Sequence, residues 1–376
     1  MRFLFACGGT AGHIYPAIAV AGRLRALIPD CEILFVGAEG KMEMDLVPRE
    51  GYDIKALKIT NLQRQISVQG LVHNIGTIKN LAFSMGEAGR IIAGFRPDVA
   101  VGTGGYVCYP MLYKAAKMGI PTAVHESNMV PGLTTRMLAD RVNRVMVGFD
   151  GAQKAYKRSR RVIYTGTPVR GEFLNLTKEE ARARLGLDMD RPLVVSFWGS
   201  LGAAKMNGNM QNFIRLNYNR EGFRHIHATG GGARGQKTLL DALEARGVTD
   251  AKDYGIDIRA YIHDMPAVMA AADLVLCRAG ASTLAELTAL GKPAILVPSP
   301  NVTANHQEEN AMALERGGGA LMIREQDCSG EILYDAVSAL LADPARLRDM
   351  GGAMERMGNP KATDAITEIV LEIMRK

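Results

Sequence analysis

One pattern restricts this chain more than any other. A short apolar run ends in a cluster of glycines, and a longer helical segment follows. The first instance is Phe5-Ala6-Cys7-Gly8-Gly9-Thr10-Ala11-Gly12-His13. Apolar runs from Arg2 to Cys7, Glu32 to Gly37, Val99 to Gly102, Thr122 to His125 and Arg144 to Gly148 read as buried strands. The segments between them are long enough for crossover helices, which makes the sheet parallel. The rhythm restarts after residue 190, with runs at Pro192 to Trp198, His225 to Thr229, Asp257 to Tyr261, Leu274 to Cys277 and Ala294 to Val297. The expected class is α/β, with two doubly wound, Rossmann-like domains facing each other across a cleft. In such sheets ligands bind beyond the carboxyl ends of the strands. Gly and Pro in VIYTGTPVR, residues 162–170, punctuate the two halves. The expected domains are 1–163 and 164–359, with a final helix, about 360–376, packing back on the first.

Composition narrows the class further. A length of 376 residues suits two cores. Hydrophobic residues at 47% and charged residues at 22% fit an ordinary globular chain. The five cysteines, at 7, 31, 108, 277 and 328, are scattered and form no CxxC pair. That argues against a disulfide framework or structural zinc and for a reducing compartment. No leader pattern and no run of about 20 apolar residues is seen, so the expectation is a cytosolic or surface-attached protein. The net charge of +6 suits an anionic lipid or a phosphorylated substrate. No compact Lys/Arg block with interleaved aromatics appears, so no nucleic acid partner is expected.

The glycine loops carry the chemistry. Such a loop lets backbone N–H groups approach an anion at a helix start. One loop alone is better explained as a tight turn, and the GGxxG spacing at 8–12 is not the dinucleotide fingerprint. A nicotinamide dehydrogenase is therefore disfavoured. Further loops shift the balance: Gly102-Thr-Gly-Gly-Tyr106, Gly199-Ser-Leu-Gly202, Gly230-Gly-Gly232 and Arg278-Ala-Gly-Ala-Ser-Thr283 all follow predicted strands. Together they point to a phosphate-bearing ligand. Glu286 stands three residues after Thr283, which is capping-box spacing, so it either returns a bond to the helix start or accepts ribose hydroxyls. His13 is either a helix-start residue or a proton acceptor near neutral pH. His125-Glu126-Ser127-Asn128 places four polar residues after a strand. Asp188-Met189-Asp190 reads as a helix-ending turn rather than a metal site, and His225 with His227 lacks a third zinc ligand.

These pieces, in their order, resemble glycosyltransferase family 28. The matching stretches are GGTAGHIYPA at 8–17, MEMDLVP at 42–48, GTGGYV at 102–107, HESN and PGLTTRML within 125–138, and GTPVR at 166–170. They continue with GSLGA at 199–203, YIHDM at 261–265, CRAGASTLAE at 277–286 and NHQEENA at 305–311. The resemblance covers nearly the whole chain. It implies the GT-B fold and inverting transfer of N-acetylglucosamine from UDP-GlcNAc to the C4 hydroxyl of the muramoyl sugar of lipid I, giving lipid II in peptidoglycan synthesis. It further implies donor contacts from Ile262, Ala281, Ser282, Thr283, Glu286, His306, Gln307, Arg170 and Ser200. Thr10, Ala11, Gly12, His13, Tyr106 and Asn128 would shape the acceptor pocket. His13 is the candidate base, with Glu126 as the alternative.

The resemblance implies no metal and no cofactor, because N–H groups at a helix start can stabilise the leaving diphosphate. Ala11, Leu201 and Thr167 depart from the family's frequent glycine, glutamine and asparagine. The polyprenyl tail of lipid I implies peripheral attachment at the cytoplasmic face of the membrane. Leu62, Ile66, Leu71, Ile75, Ile78, Leu81, Phe83, Ile91 and Ile92, rimmed by Arg64, Lys79 and Arg90, can form such a patch or simply pack a helix. Two rival functions remain at this stage. One is a related transferase acting on another lipid such as diacylglycerol. The other is a sugar-nucleotide-binding module without turnover.

Overall fold

The computed structural model describes residues 1–59, 83–156, 161–302 and 305–375. The chain forms two compact units. The first comprises Met1–Arg170 and Pro360–Lys376; the second comprises Gly171–Asn359.

In the first unit seven described strands run parallel: β1 (Arg2–Ala6), β2 (Glu32–Ala38), β3 (Asp53–Leu57), β4 (Val99–Gly102), β5 (Thr122–Glu126), β6 (Arg144–Val147) and β7 (Val162–Tyr164). Their order is β3-β2-β1-β4-β5-β6-β7. The direction of winding reverses between β1 and β4, paired in register from Phe3↔Val99 to Ala6↔Gly102. Residues alternate across the sheet with period two. Phe3 and Phe5 join one buried cluster with Ile14, Ile18 and Phe35. Leu4 and Ala6 join the other, with Met111, Leu112 and Val124. The helix Ala362–Met374 completes the first cluster with Ile366, Val370 and Ile373. It is tied to the helix Ala11–Leu27 by Arg23 Nε to Asp364 Oδ1 at 2.6 Å.

The unit boundary falls at Arg170/Gly171 rather than after residue 163. The reason is β7: it pairs with β6 from Val145↔Val162 to Val147↔Tyr164, so the supposed linker completes the first sheet.

In the second unit six described strands are ordered β10-β9-β8-β11-β12-β13. They are β8 (Leu193–Phe197), β9 (Arg224–Ala228), β10 (Ile256–Arg259), β11 (Leu274–Cys277), β12 (Ala294–Leu296) and β13 (Ala320–Met322). All pairings are parallel, and the reversal lies between β8 and β11. Phe213 packs among Phe223, His225 and Tyr334, with ring centroids 5.1 to 5.9 Å away. Truncating such a fully buried ring costs about 3–5 kcal/mol. Asp188 ends its segment as a turn: its carboxylate accepts from Asp190 N at 3.3 Å and pairs with Arg224.

A polar group sits inside this core. Ser196 Oγ lies 2.8 Å from His225 Nε2 and 2.7 Å from His227 Nδ1. One hydroxyl can donate to one ring and accept from the other, which suits two neutral imidazoles. The remaining nitrogens, His225 Nδ1 and His227 Nε2, are buried without a hydrogen-bond partner among the described residues. Burial pushes His227 down to about 3 and His225 well below its ordinary value. His125, buried in the first unit, falls to about 4 for the same reason. The unfolded chain binds protons on these rings below about pH 6.5, and the folded chain does not. Stability is therefore complete above that pH and falls as pH drops toward 3 to 4. We expect Tm to decline between pH 6.5 and 4.5, with net proton uptake on unfolding at pH 5. Calorimetry in two buffers of different ionisation enthalpy measures that uptake, and its absence would contradict the buried neutral state.

Candidate active site

The loops that leave the central strands of each sheet form a candidate site in each unit. In the first unit, the loop after β1 meets the loop after β4. Gly105 has φ +87°, and a Cβ there would lie 3.0 Å from the carbonyl carbon of Gly8. Gly104, at φ +120°, lies against the His13 ring, where a Cβ would come within 2.8 Å of Cγ. No other residue permits both this φ and this approach. Thr103 Oγ1 donates to the His13 carbonyl at 2.6 Å and ties the two loops together.

His13 lies in the first turn of the helix Ala11–Leu27, whose N-cap is Thr10. Its Nδ1 is 2.9 Å from the Gly8 carbonyl. A carbonyl only accepts, so the proton of a neutral ring is on Nδ1 and the lone pair is on Nε2. Thr10 Oγ1 lies 3.4 Å from the same nitrogen. Ala11 and Gly12 complete the turn. Tyr106 is half-buried beside Gly9, and burial, helped by the charge of Glu43, raises its phenol above the usual value.

Glu126 ends β5 and is buried. Its carboxylate accepts from Asn128 N at 3.1 Å, Asn128 Nδ2 at 3.0 Å, Gly132 N at 2.8 Å and Thr135 Oγ1 at 2.9 Å. Four donors hold both oxygens, each bond to a charged acceptor contributing about 1.5–3 kcal/mol. Glu126 thus anchors the 126–135 segment, and Asn128 is part of that anchor. His125 Nε2 donates to the Gly166 carbonyl at 2.9 Å. Arg170 lies with this unit, its guanidinium 4.7 Å from the Tyr15 ring centroid.

In the second unit a cavity of about 540 Å³ opens at the β8/β11 reversal. Its wall includes Trp198, Gly199, Gly202, Lys205, Arg278, Gly280, Thr283, Ser299, Asn301, Gln307 and Glu325. The helix Ala281–Ala289 starts here with Gly280 as N-cap and no side-chain cap bond. Ala281, Ser282 and Thr283 are its first three residues, and the N–H groups of a helix's first turn point out of its start, where negative charge is favoured. This settles the spacing question at Thr283. It is not a cap, and Glu286 lies well inside the helix rather than in a capping box.

Arg278 adds positive charge to the same wall. Its Nη1 donates to the carbonyls of Val297 at 3.1 Å and Pro298 at 3.2 Å, and Nη2 pairs with Glu325. Lys205 Nζ is 4.0 Å from Glu325 Oε1. Two cations thus share one carboxylate. Gln307 Oε1 accepts from Ser299 N at 2.9 Å, which fixes the side chain on the cavity wall.

Of the other residues singled out from the sequence, Ser200 and Leu201 sit at the exposed tip of the 199–202 loop, Leu201 at 85% exposure. The Ile262 side chain is buried, which leaves its backbone to offer. His306 begins the helix His306–Arg316. None of these four positions is on the cavity wall. The sequence reading missed Trp198, Lys205, Ser299, Asn301 and Glu325, and it gave Arg278 no role although it stands in the quoted 277–286 stretch. Among the described residues no group of three His, Cys, Asp or Glu side chains is placed to hold a metal ion.

Two parallel-sheet, Rossmann-like units with glycine-rich loops at their strand ends are the architecture of GT-B glycosyltransferases. The Glycosyltransferase family 28 N-terminal domain matches residues 3–147, and its C-terminal domain matches residues 193–366. A UDP-N-acetylglucosamine--N-acetylmuramyl-(pentapeptide) pyrophosphoryl-undecaprenol N-acetylglucosamine transferase of Acetivibrio thermocellus is 44% identical over all of this chain and 99% of the relative. A transferase of the same name from Desulforudis audaxviator is 41% identical over 100% of this chain and 99% of that one. The crystal structure of Acinetobacter baumannii MurG superposes with a TM-score of 0.76 at 23% identity, covering 99% of each chain, and so agrees in fold. The chain belongs to glycosyltransferase family 28.

Trp198 is the only tryptophan in the sequence, and it lines the cavity with Arg278 6.0 Å from its ring centroid. Titration with a nucleoside diphosphate is expected to change its emission. Lys205→Ala is expected to weaken that binding about 2- to 5-fold, the scale of an exposed charge contact. Unchanged emission at saturation would place the ligand elsewhere.

Proposed function

We infer that this chain transfers N-acetylglucosamine from UDP-GlcNAc to the muramoyl-pentapeptide of undecaprenyl-diphosphate lipid I, giving lipid II. The observation that carries this is full-length similarity to transferases of that one name, joined to the loop chemistry of both units.

The second unit suits the donor. The leaving UDP gains negative charge as the bond from its β-phosphate oxygen to C1 of the sugar breaks. The N–H groups of Ala281, Ser282 and Thr283, with Arg278 and Lys205, are placed to offset that charge. Glu286 serves the ribose, the Ile262 backbone the base, and Gln307 with His306 the sugar; Ser200 and Arg170 complete the donor contacts. The first unit suits the acceptor, with Thr10, Ala11, Gly12, Tyr106 and Asn128 around it. His13 Nε2 takes the proton from the C4 hydroxyl as its oxygen attacks C1 with inversion. Glu126 is not the base in this reading, because its oxygens already accept four hydrogen bonds.

The acceptor's tail requires work at a membrane surface, and we place the contact on the first unit, at the cytoplasmic face. No helix among the described residues is long and apolar enough to cross a membrane. Of the patch expected from the sequence, Leu62, Arg64, Ile66, Leu71, Ile75, Ile78, Lys79 and Leu81 lie outside the described residues. Ile91 and Ile92 belong to the buried core and drop out. Phe83 is exposed, as are Met118, Leu133 and Met137. Lys117 and Arg141 both lie over the Tyr113 ring, Lys117 next in sequence to Met118. Exposed apolar groups with a basic rim suit an anionic interface.

The direct test is transfer of labelled GlcNAc from UDP-GlcNAc to a short-chain lipid I analogue, in EDTA, with diacylglycerol as control. Transfer to lipid I alone is expected; transfer to diacylglycerol would favour the other lipid-acceptor reading. His13→Ala should lower kcat about 10²- to 10⁴-fold with little change in donor KM. Near-normal kcat would remove His13 as base. Sedimentation with anionic liposomes should fall in a Phe83→Asp/Met137→Asp variant at low salt, and equal binding would move the membrane contact elsewhere.

A further inference from the structure

Glu43 takes no part in the mechanism above, yet it is fully buried. It begins the helix Glu43–Arg49, and no ion pair to it occurs among the described residues. Its Oε2 accepts from Gly9 N at 3.1 Å and its Oε1 from Ala38 N at 2.9 Å. The carboxylate thus bridges the loop after β1 and the end of β2. Two glycines make room for it. A Cβ on Gly8 would collide with Oε1 and lie 2.9 Å from Cδ, and a Cβ on Gly37 would collide with Cγ. Gly8 is also the residue whose carbonyl holds His13 Nδ1 at 2.9 Å. The contacts therefore run without a break from the carboxylate, through the Gly8–Gly9 peptide, to the ring.

We propose that Glu43 is a positioning residue for proton transfer: it fixes the Gly8–Gly9 turn so that the Gly8 carbonyl holds His13 in the Nδ1–H tautomer, with its Nε2 lone pair presented to the acceptor hydroxyl. This rests on the reading of His13 as base. A carboxylate is required because two N–H donors converge on it. Glutamine has the same shape but one oxygen; its amide N–H₂ would face one of those donors and release that side of the turn.

The test is Glu43→Gln in the full chain, read four ways. Transfer to the lipid I analogue should fall in kcat about 10- to 100-fold, the scale of a misplaced catalytic group. Binding of UDP, a property of the second unit, should not change. Long-range ¹H–¹⁵N spectra of histidine-labelled protein should show the His13 signal, assigned by its loss in His13→Ala, moving from the Nδ1–H tautomer toward a mixture. Thermal melting reports whether the fold survives. Unchanged kcat with an unchanged tautomer overturns the proposal. A changed tautomer with unchanged kcat overturns it as well, and separately removes His13 as base. Should Glu43→Gln fail to fold, Glu43→Asp keeps both oxygens one methylene short and is read the same way.

Discussion

The loop clusters of both units depend on backbone touching backbone at the carboxyl ends of parallel strands. In the first unit Gly105 lies against Gly8; in the second, a Cβ on Gly230 would come within 2.6 Å of the Gly199 carbonyl and 2.5 Å of Gly202 Cα. Glycine is required here for two reasons at once. The φ values at Gly105, Gly202 and Gly230 are positive, and the space for a side chain is occupied by main chain. Packed this way, the loops hold peptide N–H and C=O groups in fixed directions, which long side chains on a mobile loop would not do.

The two units use that rigidity differently. In the second unit the fixed groups are donors: the uncapped start of the helix Ala281–Ala289 and a guanidinium held by two carbonyls and a carboxylate. The result is a wall with net positive character, suited to an anion. In the first unit the decisive group is an acceptor, the Gly8 carbonyl, and its effect is on a ring rather than on a charge. Stabilising a leaving group calls for converging donors; selecting a tautomer needs one carbonyl in the right place.

The central strands of both sheets were legible in the sequence because burial on both faces makes them continuous apolar runs. The three strands missed, β3, β7 and β13, all lie at sheet edges. β3 is half-exposed along most of its length and β7 along all of it, so neither produces a continuous apolar signal. The glycine loops were legible for a related reason, since their conformation excludes other residues. Side-chain partnerships were not. The sequence offers His13 as the base with Glu126 as the alternative. The four donors around the Glu126 carboxylate and the single carbonyl behind His13 Nδ1 are visible only in the fold. Trp198 and Glu325 join the cavity from positions 127 residues apart, so neither the other's presence nor the shared wall is visible locally.

The first unit is discontinuous in the chain, and this bears on how it is made. Ile366, Val370 and Ile373 cover the face of the first sheet that carries Phe3 and Phe5. They leave the ribosome only after the whole of Gly171–Asn359. At about 5–20 residues per second, the first sheet waits on the order of ten seconds or more with part of that apolar face uncovered. Until the final helix arrives, the nascent protein offers this surface to chaperones, to other nascent chains, or to an apolar interface nearby.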